Sequence, residues 1–113
     1  MMKKILILFL AFPFGILAQE KHKKNTKAQF KVYGNCEMCE KRIEKAALSI
    51  KGVKLADWVI PSNQINLIYN SNKVDLETIH RTIATKGHDT SEAKAKEEVY
   101  NELPLCCQYD RKK

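Results

Sequence analysis

The sequence predicts an α+β fold: a ferredoxin-like β-α-β-β-α-β sandwich with a four-stranded antiparallel sheet, two helices on one face, and a C-terminal extension. Three observations predict it. Apolar residues alternate with period two over 28–33, 53–60 and 64–69. They recur at helical spacing over 37–50 and again over 74–87. Breaker residues separate these runs in the order the arrangement requires.

The first strand places Ala28, Phe30 and Val32 on one face, and Gly34-Asn35 breaks it. The first helix carries Cys39, Ile43, Ala46, Ala47 and Ile50 as one stripe, with Glu40, Lys41, Glu44 and Lys45 on its outer face. Gly52 is its stop signal. The next strand directs Val53, Ala56, Trp58 and Ile60 inward, with a bulge near Lys54-Leu55. The turn Pro61-Ser62-Asn63 then joins it to a third strand with Ile65, Leu67 and Tyr69 inward. Val74 leads the second helix, Asp75 is its cap, Leu76, Ile79 and Ile83 form its apolar stripe, and Gly87 ends it. The weakly hydrophobic stretch 88–93 completes the sheet as an edge strand.

The flanks read differently. Residues 1–18 have the make-up of a secretory signal peptide: Lys3 and Lys4, then an apolar run broken by Pro13 and Gly15, then Ala18. That run is shorter than the roughly 20 residues a membrane-spanning helix needs, and no later run is long enough. The expectation is an exported, periplasmic protein with no membrane span after cleavage. Residues 19–26 are a lysine-rich, disordered leader, residues 27–93 the domain, and residues 94–113 the extension. In the extension, a helix over 95–103 with Val99 and Leu103 on one face ends at Pro104. The formal net charge of +7 is concentrated in Lys21-His22-Lys23-Lys24 and Arg111-Lys112-Lys113, which read as solvated tails. Nucleic-acid binding is not expected, because the strands lack aromatic stacking pairs and the leader points to export.

The four cysteines are Cys36, Cys39, Cys106 and Cys107. Cys36 and Cys39 form a Cys-x-x-Cys at the start of a helix. There the helix dipole, with Lys41 and Arg42 nearby, favours thiolate, the soft ligand for Cu(I), Zn(II) or Hg(II). In an oxidising compartment the same four residues also allow two disulfides.

Strand, Cys-x-x-Cys, helix, hairpin, helix is an order that resembles the heavy-metal-associated domain family. That family includes copper metallochaperones, the N-terminal domains of copper-transporting ATPases and a periplasmic mercury-binding protein. The matching pieces are Cys36-Glu37-Met38-Cys39, Lys51-Gly52-Val53, Ala56, Asn63-Gln64-Ile65, Tyr69 and Lys86-Gly87-His88-Asp89. The resemblance implies a metal held between Cys36 and Cys39 on an exposed loop and passed on by thiolate exchange. Three features depart from the pattern. Gly34 stands where the family usually has a methionine beneath the loop, with Tyr33 in the usual glycine slot. His88 stands where the family often has Tyr or Phe. Cys106-Cys107 lies outside the family domain.

In such a fold His88 lies near the metal loop, where it is a ligand, a support to one, or simply a structural or solvent-exposed histidine. A helical 95–103 returns about 14 Å at about 1.5 Å per residue, enough for Cys106 and Cys107 to approach the loop and close the site. Met38 is expected to be exposed or packed, with a thioether available. Trp58 is expected in the core, and Tyr100 and Tyr109 are expected to pack the extension on the domain. The functional expectation is a metal-trafficking, scavenging or detoxification protein and not an enzyme. Its cargo is copper(I) before zinc or mercury, and its partners are a metal transporter or acceptor protein, or a second copy in a metal-bridged homodimer. The competing expectation is a thiol-disulfide oxidoreductase using the Cys-x-x-Cys pair, although no proline is placed to face the cysteines as that chemistry requires.

Overall fold

The computed structural model describes residues 25–111. The expectations for the signal peptide, for residues 19–24 of the leader and for Lys112-Lys113 lie outside the described residues. The elements run β1 Thr26–Lys31, α1 Glu37–Leu48, β2 Val53–Val59, β3 Gln64–Tyr69, α2 Leu76–Thr85 and α3 Glu97–Asn101, then a 3-10 turn Leu105–Cys107. No helix among the described residues is long and apolar enough to cross a membrane.

The three strands form an antiparallel sheet in the order β1-β3-β2. The inward alternation is as the pattern predicts: Phe30, Val32, Trp58, Ile65, Leu67 and Tyr69 are buried against Cys39, Ile43, Ala46 and Ala47 of α1 and Ile79 and Ile83 of α2. The irregularity in β2 falls between Val53 and Leu55. Asp75 caps α2, its carboxylate accepting the Thr78 amide at 2.9 Å, a contact type worth about 1 kcal/mol.

Several details differ from the sequence expectation. β1 begins at Thr26, inside the stretch expected to be a leader, because Thr26 and Lys27 pair with Tyr69 and Ile68. Glu44 is not a purely outer residue of α1. Its carboxylate accepts the Trp58 amide at 2.9 Å and so satisfies a donor of β2, an edge strand; burial raises its pKa.

The fourth strand is reduced to a single bridge, Val32 to Thr90, flanked by Tyr33 N–H to Asp89 O at 2.9 Å and Ser91 N–H to Lys31 O at 3.0 Å. Side chains take over the donors that a ladder would use. Thr90 Oγ1 accepts the amides of Glu92 and Ala93, and the Asp89 carboxylate accepts the Ala95 amide at 2.7 Å. The chain therefore turns back immediately after Thr90.

That turn starts the extension on its way across the domain. α3 spans only Glu97–Asn101, shorter than the helix expected over 95–103, and the 3-10 turn supplies the rest of the return. Leu103 packs on Gly87, whose φ of +108° favours glycine; a Cβ there would meet Leu103 Cδ2 at 2.9 Å. Arg111 is not a solvated tail residue. It grips Asp89 through Nε to Oδ2 at 3.0 Å and Nη2 to Oδ1 at 2.8 Å, donates to Ala95 O at 2.8 Å and lies over the Tyr100 ring. Tyr109 is buried, donating to Gly87 O at 2.7 Å and accepting the Asp89 amide at 2.9 Å, and Tyr100 donates to the Tyr109 carbonyl. Tyr100 and Tyr109 thus pack the extension on the domain as expected.

Candidate metal centre

Cys36 is the N-cap of α1, in extended conformation, and its carbonyl accepts the Glu40 amide at 2.9 Å. The Cys39 amide, in the first turn, stabilises the Cys36 thiolate and lowers its pKa to about 7. Cys39 lies one turn on, fully buried on the apolar stripe. Its sulfur accepts the Asn35 amide at 3.3 Å, and burial pushes its thiol up to about 12. The two sulfurs are 3.6 Å apart.

The extension delivers the other two thiols to the same place. Cys106 Sγ is 3.8 Å and Cys107 Sγ 3.7 Å from Cys36 Sγ, although some 70 residues separate them in sequence. Asn35 Nδ2 donates to Cys106 O at 3.3 Å and fixes the turn against the loop. The sulfurs of Cys36, Cys106 and Cys107 all lie within 4.8 Å of one another. All four cysteines are free thiols, Cys107 buried and Cys106 exposed. The hydrogen bond shared with Cys36 raises the Cys106 pKa. The extension therefore meets the loop, as the reach of 95–103 allowed, and leaves Cys36 half-buried and Cys106 exposed.

His88 is close but stands apart from the sulfur cluster. It is fully buried, stacks on Tyr109, and its Nδ1–H donates to Tyr33 O at 2.8 Å. Nε2 is then the acceptor, facing Arg42 Nη1 at 3.5 Å, and the same Nη1 donates to Cys107 Sγ at 3.2 Å. Burial lowers the His88 pKa to about 4, so the ring is neutral. As placed, both ring nitrogens are engaged. His88 holds the Tyr33 end of the loop and orients Arg42, and Arg42 sets a positive charge beside Cys107.

Trp58 answers the absence of a methionine at position 34. Its indole Nε1 donates to Val32 O at 2.9 Å, and its ring edge lies where a Gly34 Cβ would meet it at 3.2 Å, with Cys39 Cβ at 3.0 Å. The ring is thus the floor of the loop, and a Cβ at position 34 would crowd it and Cys39 by a few tenths of an ångström. Met38 is half exposed, with Sδ 3.6 Å from Cys106 Sγ.

Asn35 and the path from His88 through Arg42 to Cys107 were not predicted from sequence. The sequence marked Asn35 only as a strand breaker and Arg42 only as a cation near the first two cysteines, not their bonds to Cys106 and Cys107.

No protein-family profile matches the chain. The copper chaperone CopZ of Staphylococcus epidermidis is 32% identical over 65 residues, which is 57% of this chain and 96% of that protein. A solved CopZ metallochaperone superposes with a TM-score of 0.56 at 27% identity, covering 57% of this chain and 98% of its own. The N-terminal domain of a potential copper-translocating P-type ATPase from Bacillus subtilis, solved in the Cu(I)-loaded state, gives 0.56 at 25% identity, covering 58% and 84%. Nearly the whole length of the CopZ proteins is matched by little more than half of this chain.

Proposed function

We propose, from the premise that the chain belongs to the heavy-metal-associated domain family, that it is an exported carrier of copper(I) which holds its cargo in a site closed by its own extension. The observation that carries the reading is the convergence of Cys106 and Cys107 on Cys36 at 3.7–3.8 Å. Cys36 captures the ion, since a pKa of about 7 leaves it substantially thiolate at neutral pH. Cys39 and Cys107 complete the donor set as the ion enters, and Arg42 offsets the charge that collects there. Cys106 is the exposed thiol and the point at which an acceptor's thiolates begin exchange. Thiols supplied in cis take the place of a second copy's, so the carrier works as a monomer.

Copper is favoured because the curated relative is a copper chaperone and a structural neighbour is a Cu(I)-loaded ATPase domain. By the same analogy the acceptor is the metal-binding domain of a copper transporter. Three or more thiolates also suit zinc or mercury, so metal choice is part of the test. Export rests on the make-up of residues 1–18. No step needs catalysis.

Anaerobic titration of the reduced protein with Cu(I) against a chelator, repeated with Zn(II), tests the reading. Cys36→Ser is expected to weaken Cu(I) binding at least 100-fold. Unchanged Cu(I) affinity in Cys36→Ser overturns the reading. Cys36 with its lowered pKa, 3.6 Å from buried Cys39, also has the asymmetry of a redox pair. Rapid insulin reduction by a protein that binds no Cu(I) is the result that selects that chemistry instead.

A further inference from the structure

Five sulfurs, not four, meet at the mouth of the loop: those of Cys36, Cys106 and Cys107 lie within 4.8 Å of one another, with Cys39 on the buried side of that group and Met38 on its exposed side. Cys39 and Cys107 are fully buried at the inner end. Cys36 is in the middle, 3.6 Å from Cys39, 3.7 Å from Cys107 and 3.8 Å from Cys106. Cys106 and Met38 are at the outer end, 3.6 Å apart, both in contact with solvent. Cys39 does not belong to the group whose sulfurs all lie within 4.8 Å of one another. One ion on Cys36, Cys106 and Cys107 would leave the Cys39 thiol and the Met38 thioether unused, which is sulfur for a second ion.

We propose that the site holds two Cu(I) ions sharing the Cys36 thiolate: an inner ion on Cys36, Cys39 and Cys107, and an outer ion on Cys36, Cys106 and the Met38 thioether. A thiolate sulfur keeps lone pairs after binding one ion, so Cys36 can bridge. The thioether is neutral and soft, a donor that Cu(I) accepts and Zn(II) does not favour. The outer position is thus selective for copper where a set of thiolates alone is not. Arg42, 3.2 Å from Cys107, stands beside the thiolate-rich end. The outer ion is the one within reach of an acceptor, and the inner ion is the reserve.

The inference rests on the Cu(I)-carrier reading above, and the test separates the two. Native mass spectrometry and chelator competition are run on the reduced monomer loaded with Cu(I), and in parallel with Zn(II). The wild type is expected to hold two Cu(I). Met38→Leu, a near-isosteric change at a half-exposed position, is expected to weaken the second Cu(I) at least tenfold and to leave Zn(II) binding unchanged. Cys106→Ser is expected to hold one Cu(I). One Cu(I) per wild-type monomer, or a Met38→Leu titration superimposable on wild type, overturns this inference alone. Absence of Cu(I) binding by the wild type overturns the carrier reading with it.

Discussion

Replacing Arg111 by methionine is expected to destabilise the protein by about 3 kcal/mol and to expose Cys107 to alkylation. The first effect follows from what the guanidinium does. It makes two hydrogen bonds to an Asp89 carboxylate whose side chain is only 6% exposed, and removing one partner of such a pair leaves a buried charge uncompensated. The second follows from where Arg111 sits. With Tyr109 and Leu103 it fastens the far end of the extension, whose middle carries Cys106 and Cys107 to Cys36. Urea denaturation and timed iodoacetamide labelling read the two effects. Asp89→Asn combined with Arg111→Met is expected to recover part of the stability, because the orphaned charge is gone. A loss under 0.5 kcal/mol with Cys107 still protected would mean that the ion pair does not fasten the extension.

Acidification is expected to cost the metal-free protein about 3 kcal/mol through His88 alone. Its pKa falls from 6.5 to about 4 on folding, because the ring is buried and faces the Arg42 cation, despite its bond to the Tyr33 carbonyl and the nearby Asp89. Between pH 6.5 and 4 the unfolded chain binds a proton that the folded chain does not. Stability from this residue is therefore complete above about pH 7, declines as pH falls to 4, and is level below. Denaturation of wild type and His88→Asn from pH 7.5 to 4 tests this. The variant, less stable at pH 7.5, is expected to lack this part of the acid slope. Parallel slopes in the two proteins would show that His88 is not held neutral.

The sequence made the framework legible because its signals are local. Alternation placed Phe30, Val32, Ile65, Leu67 and Tyr69 inward, helical spacing placed Ile43, Ile79 and Ile83, and Asp75 and Gly87 marked the ends of α2. The place of the fourth strand was legible, but its reduction to one bridge was not, because Thr90 and Asp89 satisfy backbone donors with side chains, which no periodicity records. Cys36, Cys39, Cys106 and Cys107 could be named as candidates from residue type, but their meeting depends on contacts such as Asp89 with Arg111 and Tyr109 with Gly87, set by tertiary packing. The same holds for His88: its proximity to the loop followed from the fold, while its bonds to Tyr33 and Arg42 did not. Trp58 was expected in the core, yet its second task, as the floor of the loop beneath Gly34, emerges only from the packing.

The central claim is that the extension completes the metal site. X-ray absorption at the copper edge of the Cu(I)-loaded protein tests it most directly. The account predicts close to three sulfurs per copper, falling towards two in Cys106→Ser/Cys107→Ser, with weaker retention against a chelator. Two sulfurs per copper in the wild type, unchanged in the double variant, would contradict it.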